Sequence, residues 1–240
     1  AGPSGEPEAV VPQLIPAPVA ESYPLTPSQT QLFVLSRMAG IGISYNVPLR
    51  LTITGPLDTA RLSWALQQLV ERHESLRSAF VLGDDGLPCQ EVRQELRLER
   101  RYQEADEEEI AGLARQFVRP FDLARPPLFR AQLLQSGPER FHLLLDLHHI
   151  VCDGVSQGIL LQELNILYNG GTLPAAPLQY KDYAVWLEKQ RQTAAVLEQG
   201  RFWHERFSEP QPCELPLDHP RPAGACFSGA DYRWVLERDL

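Results

Sequence analysis

The first clear pattern along the chain is an alternation of apolar and polar side chains over residues 47–54. Its apolar members are Val47, Leu49, Leu51 and Ile53. A period of two places them on one face of a strand, so the segment predicts a half-buried strand that ends at residues 55–56, Gly-Pro. The period then changes, because Asp58 can cap a helix that carries leucines at positions 62, 66 and 69.

Similar patterns predict the remaining elements. Thr26 or Ser28 can cap a first helix, and Asp85-Gly86 and Gly137-Pro138 each lie at the turn of a predicted hairpin. Three more helical stretches are predicted over residues 105–119, 154–169 and 180–207. Gly170-Gly171 ends the second of these, and acidic residues at the start of the first favour a helix N-terminus.

The order of elements predicts a mixed α+β fold of the broad α/β class, with helices packed on a mixed β-sheet. Residues 1–22 are rich in proline, alanine, glycine and glutamate and predict a linker or tail. Residues 23–208 form the predicted lobe, and 209–226 a proline-rich linker. The strand predicted in 227–240 has no obvious partner, which indicates the front part of a longer protein; the alternative is that it joins the edge of the existing sheet.

Composition narrows the function. The 240 residues have a net charge of -9, which argues against a nucleic-acid partner. No apolar stretch approaches the roughly 18 residues of a membrane span, and the N-terminus does not resemble a signal peptide, so we expect a cytoplasmic protein. Four scattered cysteines without C-x-x-C spacing speak against structural zinc. Glycine-rich nucleotide loops and a G-x-S-x-G elbow are not found in the sequence.

The stretch HLLLDLHHIVCDG, residues 142–154, contains the most suggestive chemistry. Adjacent residues of a strand point to opposite faces, so His148 and His149 cannot both face one site. This disfavours a two-histidine metal site and allows the pair two different tasks, one structural and one in a cleft. Histidine can take a proton near neutral pH, although a histidine on an apolar face is more often a packed core residue.

Asp153 and Gly154 follow the histidines and have several possible roles. Asp153 can bind His149, pair with an arginine, or cap the helix that begins at residue 154 or 155; local sequence favours the cap. Gly154 can supply a tight turn. These residues alone leave the alternatives open.

HHIVCDG resembles the H-H-x-x-x-D-G motif of the condensation domains of nonribosomal peptide synthetases. Four further stretches resemble motifs of the same family in the same order: TPSQTQLFVLSRM, RHESLRSAF, RPFDLARPPLFRAQLL and QYKDYAVW. LPLDHPRP resembles the family's linker between two lobes. Gln31 and Phe33 depart from the usual first motif, which we interpret as a variation in packing.

The resemblance implies the N-terminal lobe of a two-lobe, chloramphenicol-acetyltransferase-like sandwich, with residues 227–240 as the first strand of a truncated C-terminal lobe. It implies amide formation between a donor acyl or peptidyl thioester and the amine of an acceptor aminoacyl thioester. Both substrates would be held on phosphopantetheine arms of peptidyl carrier proteins, with an adenylation domain adjacent in the synthetase and no cofactor or metal bound by the domain itself.

For individual residues, the resemblance implies that His149 lies beside the attacking amine, as general base or as positioner. It implies that His148 supports the strand, and that Gly154 lets the loop pass close to the reacting groups. Asp153 would pair with an arginine, for which Arg77 is the first candidate and Arg72 the second. An intact first histidine favours condensation over heterocyclisation; epimerisation and a non-catalytic docking module of the same fold remain alternatives.

Overall fold

The computed structural model describes residues 13–38, 40–209, 216–220 and 234–235. The elements, in chain order, are β1 (Tyr23–Pro24), α1 (Pro27–Leu35), β2 (Asn46–Thr54), α2 (Thr59–Arg72), a 3₁₀ turn (Glu74–Arg77), β3 (Ser78–Leu82), β4 (Pro88–Val92), β5 (Arg100–Glu104), α3 (Ile110–Phe117), β6 (Phe129–Gly137), β7 (Arg140–His148), α4 (Gly154–Tyr168), α5 (Tyr180–Arg191) and α6 (Ala194–Arg206).

The helices begin where the sequence supplies side chains that bind free backbone N–H groups. The Thr26 hydroxyl accepts from the N–H of Gln29, whose own side chain accepts from the N–H of Thr26, so α1 starts with a capping box. Asp58 accepts from the N–H of Arg61 at the start of α2. Both caps agree with the sequence-based predictions.

The strands form two sheets. A small antiparallel sheet has the order β1-β4-β3, and a larger one has the order β2-β7-β6-β5. In the larger sheet β5 runs parallel to β6 and the other neighbours are antiparallel, so this sheet is the mixed one. The predicted α/β class, with helices packed on a mixed sheet, is therefore confirmed.

Strand β7 lies inside the larger sheet, between β2 and β6, and eight of its nine residues are buried. Phe141, Leu143, Leu145 and Leu147 face the main core, which α2 and α4 cover. Leu144, on the opposite face, packs in a smaller cluster with α3. The strand thus carries a buried surface on both sides and ends at the two histidines.

The elements predicted from the sequence differ from the structure at β5 and at the start of α3. The hydrophobic pattern did not reveal β5, because all five of its residues are exposed at the edge of the sheet. The helix predicted over 105–119 begins only at Ile110. The acidic residues before it form a turn and not a helix. In this turn the Glu107 carboxylate accepts hydrogen bonds from Arg140, Ser136 and His142.

The ends of the chain are described only in part. Residues 13–22 form no helix or strand, but the Ala17 N–H donates to the Asp182 carboxylate at 2.9 Å, so this segment contacts α5. Most of the predicted linker 209–226 and of the strand predicted in 227–240 lies outside the described residues. No helix in the described part is long and apolar enough to cross a membrane.

Candidate active site

The candidate site lies at the end of β7, where the chain turns through residues 149–151 into α4. The N–H of His148 donates to the Leu128 carbonyl on one side, and the N–H of His149 donates to the Tyr45 carbonyl on the other. The two histidines leave the strand end in different surroundings, which is consistent with two different tasks.

His148 is buried, with 5% of its surface exposed. Its Nδ1 accepts a hydrogen bond from the Ile150 N–H at 3.1 Å, so the neutral ring carries its proton on Nε2. The rings of Phe121 and Tyr45 contact it, Phe121 edge-on. Burial, and to a smaller extent the neighbouring His149, lowers the pKa of His148 to about 4. His148 therefore stays neutral at physiological pH and holds the turn.

We expect His148 to make the fold sensitive to acid. Its pKa is about 4 when folded and near 6.5 when unfolded. The unfolded chain therefore binds more protons as the pH falls from 6.5 to 4, and stability is lost across that window. Urea unfolding of wild type and His148→Gln should show the wild-type advantage shrinking by roughly 2 to 3 kcal/mol from about pH 7 to about pH 4.5. A pH-independent difference between the two proteins would contradict this result.

His149 is exposed and lines a pocket of about 130 Å³. Within the described residues its ring makes no hydrogen bond, so the exposed side chain is free to bind a molecule in the pocket. Tyr180 of α5 and Ser75 of the 3₁₀ turn line the same pocket, together with residues 150–153 and Ser156. A smaller adjoining pocket of about 100 Å³ shares Ser75 and Ser156 and extends along α4. We call these two adjoining pockets the groove. A histidine in this position can accept a proton or a hydrogen bond from a molecule in the groove.

Asp153 caps α4. Its Oδ1 accepts from the Ser156 N–H at 2.8 Å and from the Ser156 hydroxyl at 2.6 Å. These hydrogen bonds lower the pKa of Asp153, the side-chain bond having the largest effect. Of the roles left open by the sequence, the structure shows the helix cap. Asp153 also lines the His149 pocket.

We expect Asp153→Ala to destabilise the lobe by about 1 kcal/mol, because the first turn of α4 loses its side-chain acceptor. Asp153→Asn should lose only a few tenths of a kcal/mol, since asparagine is an equally good cap. Chemical denaturation of the three proteins measures the difference. Equal losses for alanine and asparagine would show that the negative charge, and not the cap, is what matters.

The expected ion pair between Asp153 and Arg77 is not formed, and this prediction is wrong. Arg77 donates instead to backbone carbonyls, to Val70 through Nε at 3.2 Å and to Arg93 through Nη1. Since these carbonyls belong to the end of α2 and to the segment after β4, Arg77 joins the two. The Asp153 carboxylate does not bind Arg77 because it already accepts hydrogen bonds from the N–H and the hydroxyl of Ser156, in the first turn of α4.

Arg72, the second candidate, does not bind Asp153 either. Its Nε donates to Glu163 Oε1 of α4 at 3.1 Å, and His73 Nε2 donates to Glu163 Oε2 at 2.5 Å. Gln179 accepts from the Glu74 N–H at 3.0 Å, so α5 joins the same cluster. Residues 72–74, which we call the RHE triplet, therefore fix α4 and α5 on either side of the groove. Sequence reasoning missed Glu163, whose only signal was that it is the one charged residue of α4.

Gly154 and Cys152 have no evident chemical role. Apart from its chain neighbours and the backbone of its own helix, no described atom lies within 4 Å of the position that a Cβ of Gly154 would take, and its φ is not positive. The tight turn suggested for Gly154 is thus not what the structure shows, and close passage of reacting groups stays a prediction. Cys152 is buried, and burial raises the pKa of its thiol to about 11, so it is protonated and a poor nucleophile.

The described residues contain no group of three or more His, Cys, Asp and Glu side chains arranged to hold a metal ion. What they present at the strand end is an exposed imidazole, a capped helix and a groove. These features suit binding and proton transfer.

Comparisons with known proteins agree with this arrangement. Residues 19–240 match the family described as condensation domain. The chain is 45% identical over 215 residues to tyrocidine synthase 3 of Brevibacillus parabrevis, covering 89% of this chain and 3% of that protein. It is 39% identical over 219 residues to gramicidin S synthase 2 of Aneurinibacillus migulanus, covering 91% of this chain and 5% of the relative.

Solved structures give the same result for the fold. The first condensation domain of the calcium-dependent antibiotic synthetase, in complex with a substrate analogue, superposes with a TM-score of 0.67 at 26% identity. The X-domain in complex with OxyB from teicoplanin biosynthesis superposes with a TM-score of 0.79 at 27% identity. The matches cover 80% and 88% of this chain and 49% of each of those chains.

The chain thus spans about half the length of these solved domains and a small part of the curated synthetases. The family match nevertheless covers most of the chain and includes the strand, the histidine turn and the groove described above. This protein belongs to the condensation domain family of nonribosomal peptide synthetases.

Proposed function

We propose that this chain is the N-terminal lobe of a domain that forms amide bonds between two carrier-bound substrates. The observation that carries the proposal is the exposed imidazole of His149, which lines the groove at the end of β7 within an intact H-H-x-x-x-D-G motif. A second lobe would complete the binding site; this is supported by the solved relatives, of whose chains the match covers only 49%.

The reaction joins an amine to a thioester. The acceptor's free amine attacks the donor thioester carbonyl, a C–N bond forms, the C–S bond breaks, and the donor arm leaves as a thiol. The attacking nitrogen loses one proton and the sulfur gains one, so the reaction is balanced without an oxidant or metal. His149 either takes the proton from the nitrogen or holds the amine in line with the carbonyl.

The partners follow from this chemistry. Each substrate would arrive on the phosphopantetheine arm of a peptidyl carrier protein, which supplies the thiol, so the domain itself would bind no resident cofactor. The net charge of -9 gives no support for a nucleic-acid partner. An adjacent adenylation domain would load the acceptor carrier.

The proposal is tested by reconstituting the complete domain with a donor carrier bearing an acyl-aminoacyl thioester and an acceptor carrier bearing an aminoacyl thioester. We expect a new amide product on the acceptor carrier, detected by mass spectrometry of the intact carrier. The 240-residue chain alone should form little product, because half of the binding site is then missing. A complete domain that forms no amide with several substrate pairs would contradict the proposal.

Epimerisation is the first alternative, and the same reconstitution separates it from condensation. With a single aminoacyl carrier in deuterated water, an epimerase would exchange the α-proton and shift the product mass. The stretch QYKDYAVW, which forms α5 beside the pocket, resembles condensation domains more closely. We therefore expect no deuterium incorporation.

A docking module without catalytic activity is the second alternative. It is supported by the superposition on an X-domain whose solved structure is a complex with OxyB. The presence of His149 and the capped α4 favours catalysis. Stable binding of a third protein, together with an absence of amide product from the complete domain, would identify a docking module.

A further inference from the structure

A buried ion pair lies in the larger sheet two residues before the histidine turn. The side chain of Asp146 is fully buried, and its Oδ2 accepts from Arg130 Nη1 at 3.2 Å and from Asn46 Nδ2 at 2.8 Å. Arg130 lies directly opposite Asp146 on β6, whereas Asn46 lies on β2. The three side chains therefore link the three strands that end beside the turn.

The energetics of this pair argue against a simple stabilising role. Burial raises the pKa of Asp146 to about 6 even though Asn46 and Arg130 favour its charged form. Burial also lowers the pKa of Arg130. The Oδ1 atoms of Asp146 and Asn46 are buried without a hydrogen-bond partner among the described atoms. Since desolvation outweighs attraction on both sides, the pair contributes little net stability.

Arg130 instead fixes a neighbouring segment against His148. Its Nη1 and Nη2 donate to the carbonyls of Arg119 and Pro120 at 2.6 and 2.7 Å. Its guanidinium lies 3.6 Å from the centre of the Phe121 ring. That ring packs edge-on against His148, with centroids 6.1 Å apart. Arg130 therefore holds the Phe121 ring in its contact with the His148 ring.

Asn46 extends the same network to His149. Its Nδ2 also donates to the Arg119 carbonyl at 2.9 Å, and its backbone lies opposite His148 in the β2–β7 register. Tyr45, the preceding residue, accepts the His149 N–H at 2.8 Å through its carbonyl. Both histidines are thus connected to the Asp146 cluster through contacts of one or two residues.

We propose that Arg130, oriented by Asp146, is a positioning residue that sets the His148–His149 turn through Phe121. Arg130 does not touch the substrate. It holds the 119–121 segment, Phe121 fixes the His148 ring, and the turn then presents His149 to the groove. The kinetic consequence rests on the proposed condensation activity, but the geometric consequence does not.

The kinetic arm of the test uses Arg130→Gln and Phe121→Leu in the complete domain with both loaded carriers. We expect kcat to fall roughly 3- to 10-fold while KM changes less than about twofold, because orientation is lost and binding is not. The matched control is Arg125→Gln, which removes an exposed pair with Asp122 in the same segment. Its kcat should equal the wild-type value.

The structural arm uses the 240-residue chain. Thermal unfolding selects variants that stay folded, and NMR then records the imidazole signals of both histidines. Arg130→Gln and Phe121→Leu should shift the His149 signals, whereas Arg125→Gln should not. The His148 signals do not decide, because loss of the Phe121 ring current shifts them by itself. If Arg130→Gln does not fold, Phe121→Leu decides, because leucine keeps most of the apolar volume without the ring edge that meets His148.

The two arms together decide the proposal. Shifted His149 signals with a lower kcat support it. Unchanged signals overturn it at any kcat, and shifted signals with wild-type kcat overturn it too, because the turn would then need no such positioning. If the complete wild-type domain forms no amide, the proposed function fails, and the His149 signals alone judge the positioning role.

Discussion

Glu163→Ala should lower the free energy of unfolding by roughly 2 to 4 kcal/mol, the largest stability loss we expect from a single charged residue of the groove. The Glu163 side chain is only 13% exposed and accepts from both Arg72 and His73. Its removal leaves a largely buried guanidinium beside a largely buried imidazole, with the opposing charge gone. Breaking one partner of such a pair costs more than the pair itself contributes.

The measurement is urea unfolding of the 240-residue chain, followed by circular dichroism. Gln162→Ala is the matched control, because Gln162 is the exposed neighbour of Glu163 on the same helix. We expect that control to stay within about 0.5 kcal/mol of wild type. A loss of unfolding free energy for Glu163→Ala no larger than that for Gln162→Ala would contradict this prediction, because the contacts of Glu163 with Arg72 and His73 would then not stabilise the fold.

His149→Ala should lower the rate of amide formation by the complete domain by about 100- to 10 000-fold. The imidazole is exposed, lines the groove and makes no hydrogen bond within the described part of the chain, and alanine can neither accept a proton nor orient an amine. Stability should change by less than about 0.5 kcal/mol, since an exposed side chain contributes little to the fold. Single-turnover kinetics with saturating loaded carriers measures the rate.

The His149→Gln variant separates the two roles of the imidazole. A glutamine amide can accept a hydrogen bond from the amine but cannot take its proton near neutral pH. Substantial recovery of the rate relative to alanine would identify a positioner, and a rate equal to that of alanine a base. His204→Ala, which removes an exposed histidine of α6, serves as the control and should retain the wild-type rate.

Much of the fold followed from local patterns. The alternation along residues 47–54, the hairpin turn at Gly137-Pro138 and the caps at Thr26 and Asp58 depend on neighbours close in sequence, and the structure has these elements in place. Strand β5 escaped notice because an exposed edge strand has no apolar face to reveal it. Its pairing with β6 is a tertiary property that hydrophobic periodicity does not encode.

For the candidate site, too, the features that depend on neighbours in sequence were predictable, and the contacts between distant segments were not. The alternation of β7 separated His148 from His149, and local sequence correctly favoured Asp153 as a cap. The partner of Arg77 was not predictable, because an arginine can satisfy its donors on backbone carbonyls as well as on a carboxylate. The links from Glu163 to Arg72 and from Asp146 to Arg130 join distant segments, and only the folded chain brings them together.

The most direct test of the different tasks of the two histidines is the single-turnover rate of amide formation by the complete domain, measured side by side for His148→Gln and His149→Ala. We expect His149→Ala to be at least about 100-fold slower than wild type. His148→Gln, assayed under conditions where it stays folded, should remain within about tenfold of wild type, because His148 acts only through the turn. Equal losses, or a greater loss for His148→Gln, would contradict the account.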